Sequence, residues 1–302
     1  MISFKPVNLE NKDEVLGSVF GDEGVRRFAA ALLCCFDFSD EDTEYAVSES
    51  DGCVLVRIFD MGRYMFLFPQ KAKDNARIDE ALDALTRYAV KEELPLVLTG
   101  VTAGELCYLA PYRHFDVDAE DIEGESHRVR IKRECELLEE IPEYVGERVT
   151  LNALTEVDKA RYGALCRDEE NNKYWGYDYR CDCPDADDDY FFDMQEREFN
   201  TGAAITFAVR CDLELVGALD LYGFDGKGRA QIDVRIFPEH QRRGLASEAL
   251  ECAFEIARSL GLSTLTARVM KENLPSRRLC ERLCDVECER ESTVEFLFKL
   301  FE

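Results

Sequence analysis

The chain has 302 residues, too many for one ordinary domain and enough for two that each bury a core. Its 63 Asp plus Glu against 37 Lys plus Arg leave a formal net charge of -26, which repels nucleic acid and anionic membrane surfaces and excludes both as expected partners. Thirteen cysteines are an odd number in a long chain, and Cys34, Cys107, Cys166, Cys252 and Cys280 sit in apolar patterns, so they read as small buried hydrophobes in a reducing cytoplasm.

The opening Met1-Ile2-Ser3-Phe4-Lys5-Pro6 has no basic stretch leading into an apolar run, and no segment is long enough to span a bilayer. A soluble, cytoplasmic protein is the expectation. Residues 4–9 alternate as a short edge strand, and residues 24–36 carry Val25, Phe28, Ala29, Leu32 and Leu33 on one helical face. Residues 53–59 and 63–68 flank Asp60-Met61-Gly62 as a hairpin that Pro69 ends. Residues 78–90 place Leu82, Leu85 and Ala89 at helical spacing, and residues 94–98 follow as a buried strand. Phe66-Leu67-Phe68-Pro69 before this helix and Pro95-Leu96-Val97-Leu98 after it resemble the N-terminal half of the DUF2156 proteins, over residues 1 to about 120. That resemblance implies an acetyltransferase-like fold, and some DUF2156 relatives are aminoacyl-transferases. His114 and His127 have no second His or Cys at metal-ligand spacing and read as surface residues. Charged residues 116–147, broken by Gly124 and Gly146, read as a linker with local structure, which divides the chain into domains 1–145 and 146–302.

Residues 148–155 alternate as a strand and end at a helix N-cap, where Thr155-x-x-Asp158 has the form of a capping box. Residues 190–199 are helical, with Phe191, Met194 and Phe199 as the apolar face. Before them, residues 182–189 hold five aspartates. Cys181-x-Cys183 lacks two further ligands, so no metal is expected. Residues 206–210 and 215–222 bracket a hairpin turn at residues 211–214. In the strand that follows, Ala230, Ile232, Val234 and Ile236 share one face while Gln231, Asp233 and Arg235 share the other. Gln241-Arg242-Arg243-Gly244-Leu245-Ala246 then turns this strand into a helix over residues 246–260. A basic, glycine-containing turn at a helix N-terminus aims several backbone N–H groups at one spot and favours negative charge there. Residues 264–269 form a strand, Asn273 and Pro275 begin a helix with Leu279 and Leu283, and residues 286–289 and 293–300 close the chain as a hairpin.

In this setting the pattern Gln/Arg-x-x-Gly-x-Gly/Ala resembles the acetyl-CoA pyrophosphate loop of the GNAT N-acetyltransferase family. Pro238 and Glu239 after the strand, and Asn273 with Ser276 after the next one, extend the likeness. The opening at residues 148–155 and the run Asn172-Lys173-Tyr174-Trp175-Gly176-Tyr177 are similar to the ribosomal-protein-type branch, although Asn152 stands where many of that branch have Arg. The fold class implied is α/β (α+β), with two GNAT-like domains, each a mixed, mostly antiparallel central sheet flanked by helices. The resemblance implies acetyl-CoA as co-substrate, held by Val234, Arg235 and Ile236 along the pantetheine arm, by Gln241, Arg242, Arg243, Gly244, Leu245, Ala246 and Ser247 at the pyrophosphate, and by Asn273 and Ser276. It assigns Trp175, Tyr177 and Asp178 to the acceptor side, roofed by residues 182–189, whose aspartates are either cation ligands or a solvated helix start. Residues 68–73 contain no glycine, so the first domain is not expected to bind CoA.

Two positions depart from the family. Gln231 stands where many relatives carry Glu, and Cys280 where the family commonly has Tyr. Gln accepts no proton, which leaves Asp233 as the nearest replacement base, directly or through water. Cys280, with a reference pKa of about 8.5, is either the acid for the leaving thiolate or a small packed residue. The expected function is acetyl transfer to a primary amine of a small molecule or peptide by direct attack. The alternatives are a weakly catalytic CoA-binding sensor and an aminoacyl-transferase, the latter disfavoured by the acidic charge. Both monomer and homodimer stay open.

Overall fold

The computed structural model describes residues 2–40, 42–120, 126–174 and 185–301. The chain forms two compact units, Met1–Lys132 and Arg133–Glu302.

The first unit runs β1 (Lys5–Val7), α1 (Lys12–Val19), α2 (Glu23–Leu33), β2 (Glu44–Ser50), β3 (Cys53–Asp60), β4 (Arg63–Leu67), β5 (Gln70–Lys71), α3 (Ile78–Lys91), β6 (Leu96–Thr102), β7 (His114–Glu120) and β8 (Ser126–Lys132). Its sheet has the order β1-β2-β3-β4-β6-β8-β7, with β5 laid on β3. Neighbours pair antiparallel except β4 and β6. Leu16 of α1 and Val25, Ala29 and Leu33 of α2 pack on Val47, Val54 and Val56 on one sheet face. Ile78, Ala81, Leu82 and Leu85 of α3 cover Leu55, Phe66, Leu98 and Val129 on the other. Asp22 starts α2 by accepting hydrogen bonds from the N–H groups of Gly24 (2.8 Å) and Val25 (3.1 Å), the ordinary service of an Asp N-cap.

Several expectations change here. Helix α1 and strand β2 were not anticipated; α1 buries only Leu16 and so carries almost no periodic signal. Residues 114–120 and 126–132 are not linker but the paired strands β7 and β8. Their inward positions, among them Val129 and Ile131, alternate with charged residues, and the density of charge hid the period of two. Cys34 and Cys107 are exposed, because the first follows the last buried turn of α2 and the second sits in a one-turn 3-10 helix. Phe28 is 36% exposed and lies off the apolar face that Val25, Ala29 and Leu33 define.

The second unit runs β9 (Tyr144–Val145), β10 (Val149–Ala153), α4 (Lys159–Arg167), α5 (Glu169–Asn172), α6 (Asp188–Asn200), β11 (Ala204–Cys211), β12 (Glu214–Tyr222), β13 (Arg229–Ile236), α7 (Leu245–Ser259), β14 (Thr264–Met270), α8 (Leu274–Cys280), β15 (Val286–Glu289) and β16 (Thr293–Lys299). The sheet order is β15-β16-β14-β13-β12-β11-β10-β9. Setting aside β5 and β9, the two units string their strands in the same sequential order. Helix α7 packs Leu245, Ala249, Leu250, Ala253 and Ala257 over Val149, Phe207, Leu219, Ile232 and Leu265. Tyr162, Leu165 and Cys166 of α4 and Phe191 and Phe192 of α6 cover Ala208, Ala218 and Phe237 on the opposite face. The capping box forms as read: the Asp158 carboxylate accepts from the Thr155 backbone N–H (2.8 Å) and hydroxyl (2.7 Å). No helix among the described residues is long and apolar enough to cross a membrane.

The division falls before residue 145, where composition had suggested it, and side chains explain why. Buried Glu134 accepts hydrogen bonds from the N–H groups of Gly226 (3.1 Å) and Gly228 (2.6 Å), Arg133 donates to the Thr201 carbonyl (2.6 Å), and Cys135 enters the core beside α7 and β13. A charged, glycine-punctuated composition describes a linker, but these charges are spent on buried amides.

Candidate active site

Strands β13 and β14 run parallel and touch only at their starts, through Arg229↔Thr264, Ala230↔Leu265 and Gln231↔Thr266. Past that point β13 stays on β12 as far as Ile236, while β14 follows β16 as far as Met270. The two strands therefore part, and the edge of β13 from Ile232 onward has no strand beside it among the described residues. Val234, Arg235 and Ile236 lie on this edge. The carbonyl of Ile236 is held by the side-chain amides of Gln241 (2.9 Å) and Asn171 (3.2 Å), which fixes the strand end instead of a neighbouring strand.

The chain then makes one 3-10 turn at Pro238–His240 and enters the loop before α7. Arg242 (φ 59°) and Gly244 (φ 82°) are both left-handed. For Gly244 that conformation carries no steric cost, and for Arg242 it is a local strain of the kind concentrated at binding loops. Gly244 is the N-cap of α7 and has no side chain to close the helix, whose first bond is Glu248 N–H to Gly244 carbonyl (3.2 Å). The N–H groups of Leu245, Ala246 and Ser247 precede that bond and have no carbonyl four residues back in helical geometry to accept them. A Cβ at Gly244 would stand 3.3 Å from Arg148 Nη2.

Arg148 is the member of this loop that sequence reasoning missed. Its Nη1 donates to the Arg243 carbonyl (3.1 Å) and its Nε to Glu248 (2.8 Å), while Glu248 also accepts from the Val149 N–H (2.9 Å). These contacts neutralise the one acid of the first turn of α7 and hold its pKa below the usual carboxylate value against the opposing effect of burial. The cradle keeps a positive bias. Arg148 lies nearly 100 positions away in sequence, so local pattern carried no sign of it. Arg243 is in turn steadied by His240 Nδ1 (3.1 Å).

On the face of β13 away from α7, Gln231, Asp233 and Arg235 follow one another as expected. Asp233 Oδ2 accepts a 2.6 Å hydrogen bond from the hydroxyl of Tyr222. Burial is the largest influence on this carboxyl and, with the charge of Asp220, pushes it from 3.8 up to about 6; Tyr222 and Arg235 act in the other direction. Asp220 is directly opposite on β12 and is itself raised by burial, with Arg235 Nη2 3.6 Å away. Arg235 is 4% exposed and reaches Asn172 Oδ1 (3.2 Å), so its side chain ties β13 to α5. The Gln231 amide lies against the Gly223 turn, where an added Cβ would come within 2.8 Å of it.

Cys280, the last residue of α8, is 4% exposed in the core, and burial pushes its thiol up to about 12. That environment suits a packed thiol and not an acid working near neutral pH. Asn273 caps α8 by accepting from the Ser276 N–H (3.2 Å). Asp187 caps α6 through the Tyr190 N–H (2.9 Å), Asp188 pairs with Arg167, and Asp189 with Lys159 (2.8 Å), so these three aspartates have structural partners. Trp175, Tyr177, Asp178 and Asp182, together with Cys181 and Cys183, lie outside the described residues.

Residues 148–283 match the family model of the acetyltransferase (GNAT) domain. Among solved structures, a spermidine N-acetyltransferase from Vibrio cholerae, in complex with CoA and spermine, is similar at 19% identity over 51% of this chain and 97% of its own, with a TM-score of 0.44. A GNAT-family acetyltransferase from Bacillus anthracis is similar at 20% identity over 52% of this chain and 96% of its own, TM-score 0.41. RimJ from Mycobacterium smegmatis, in complex with CoA-disulfide, is similar at 17% identity over 50% of this chain and 81% of its own, TM-score 0.42. No match was found among curated proteins.

Proposed function

We propose that the second unit transfers an acetyl group from acetyl-CoA to a primary amine of a small molecule or peptide by direct attack. The observation that carries this reading is the convergence of the parted β13/β14 edge with the uncapped first turn of α7. The first offers the open backbone edge from Val234 to Ile236, apart from the Ile236 carbonyl that Gln241 and Asn171 hold, to an amide-containing arm. The second offers the N–H groups of Leu245, Ala246 and Ser247, with Arg242 and Arg243, to a pyrophosphate. Gln241 holds the strand end that joins them, and Asn273 and Ser276 stand at the start of α8, directly after β14.

Acetyl-CoA supplies the activated carbonyl; the chain must supply a base, because an amine is protonated at neutral pH and attacks only after losing that proton. Asp233 fits this role. Its carboxyl, raised to about 6 by burial, is largely ionised at pH 7 and yet more basic than an ordinary aspartate. Gln231, two residues before it, is placed to orient a water or the amine but not to take a proton. Trp175, Tyr177 and Asp178 are assigned to the acceptor side on the resemblance alone. The acceptor is cationic, the protein is cytoplasmic, and the first unit does not bind CoA; all three belong to the same reading.

The test is release of CoA thiol from acetyl-CoA against a panel of polyamines, aminoglycosides, amino acids and peptide N-termini. Turnover with at least one amine is expected. A second reading, a CoA-binding protein without turnover, draws support from the buried Cys280 and from Gln231, and it would be chosen if acetyl-CoA bound tightly while every acceptor failed.

A further inference from the structure

The acidic residues of β12 and β13 form one cross-strand group whose arrangement the family pattern does not specify. Register places Asp220 opposite Asp233 and Tyr222 opposite Gln231, so Tyr222 is the diagonal neighbour of Asp233 on the same sheet face. From there its hydroxyl donates to Oδ2 at 2.6 Å. A phenol hydrogen bond of that length to a carboxylate is charge-assisted and directional. It engages one oxygen and leaves the other without a constraint from Tyr222.

Resting on the reading of Asp233 as the base, we propose that Tyr222 is its positioning residue: it binds Oδ2, turns Oδ1 toward the acceptor amine, and sets the pH at which the base becomes ionised. Other charged groups around Asp233 do not make this contact. Asp220 is a like charge directly opposite, and Arg235 lies 3.6 Å from Asp220. Cys280 of α8 acts on Asp233 only at range, as Arg268 of β14 does on Tyr222. The hydroxyl itself stays protonated, because burial and the adjacent Asp233 charge both raise its pKa. Tyr222 is thus a fixed donor and not a second acid. In each turnover the proton moves from the acceptor ammonium to Asp233 Oδ1 and later to solvent, and the Tyr222 O–H bond never breaks.

The experiment follows Asp233 directly in the full-length chain labelled with 13C-carboxyl aspartate, its resonance assigned by its loss in Asp233→Asn. Tyr222→Phe keeps the ring and removes the donor. The Asp233 midpoint should rise by about 1 pH unit, and the acidic limb of kcat/KM for the best amine should rise with it, while calorimetry shows unchanged acetyl-CoA affinity. In an Asp233→Asn background Tyr222→Phe should shift nothing further. Site-specific 3-fluorotyrosine at 222, a stronger donor with the same packing, should lower the midpoint and covers the case of a Phe variant that folds poorly. An unshifted Asp233 titration in these variants overturns the positioning role. A shifted titration in a protein whose Asp233→Asn variant keeps full turnover overturns the base assignment instead, so the two failures are told apart.

Discussion

The two units lay their strands down in the same order, β1-β2-β3-β4-β6-β8-β7 in the first and β10-β11-β12-β13-β14-β16-β15 in the second, and each has a single parallel pair between its fourth strand and the strand after its long helix. They differ at the place where that helix begins. In the second unit the parallel strands part after three paired residues, and a left-handed glycine leads into α7. In the first unit the pairing comes at the end of β4, through Phe66↔Leu98 and Leu67↔Thr99, and Phe68 N–H adds a bond to the Thr99 carbonyl (3.0 Å). The chain then folds β5 back onto β3. The N-cap of α3 is Arg77 in an extended conformation, with its own N–H given to the Asp51 carbonyl (2.9 Å). The second unit therefore leaves a strand edge open just before a glycine-led helix start, and the first keeps the end of its strand paired. A shared topology is a frame; where backbone groups are left unpaired decides what it can hold.

The largest effect that sharpens this contrast should come from Asp233, which has no counterpart on β4. Asp233→Asn keeps the shape and removes the basicity, so turnover should fall by about 10²- to 10⁴-fold with acetyl-CoA affinity nearly unchanged. Stopped assays across pH check both quantities, and retained activity there beside loss in Gln231→Ala would move the role to a Gln231-held water.

Next in size is the cradle. Gly244→Asp puts a like charge and a strained left-handed side chain where the pyrophosphate is expected, and calorimetry should show acetyl-CoA affinity lowered about 10²-fold or more. Arg77→Asp, at the matching helix start of the first unit, should change it by less than about twofold, since β4 is paired to its end there and residues 68–73 hold no glycine. Equal losses from the two substitutions would break the distinction between the units.

The division of the chain makes a third prediction. A fragment starting at 133 keeps Glu134 on the Gly226 and Gly228 amides, and one starting at 146 leaves both without a partner. At roughly 1–3 kcal/mol for each of the two buried amides, the shorter fragment should be less stable by about 2 to 6 kcal/mol in urea unfolding. Equal midpoints would mean that residues 133–145 are a linker after all.

The smallest effect concerns stability and pH. Because burial raises Asp233 from 3.8 to about 6, the folded chain holds this proton more tightly than the unfolded chain does. Its contribution to stability is then highest below pH 4 and is lost as the pH rises through 6. Asp233→Asn should consequently stabilise the fold by roughly 2 kcal/mol at pH 7 and by nothing near pH 3.5, read from denaturant midpoints at the two pH values.

Much of this was written in local sequence. Alternation in residues 230–236, helical spacing in residues 246–257 and the glycine of Gln241-Arg242-Arg243-Gly244 specified β13, α7 and the turn between them, because each signal acts within a few residues of itself. The face shared by Gln231, Asp233 and Arg235 follows from the pleat alone. What the sequence did not carry is which long-range partner each of these groups meets. Cys34 and Cys280 occupy similar apolar contexts, yet one ends exposed and the other in the core, and only the packing of α2 and α8 separates them. Arg148 reaches the cradle from just before β10, Tyr222 reaches Asp233 across the sheet, and Glu134 reaches two glycine amides far down the chain. Composition reads the number of charges and periodicity reads the face they occupy. Their partners, and so their pKa values and the available edge of β13, were decided by the tertiary structure, because burial and strand register act between residues that no local pattern connects.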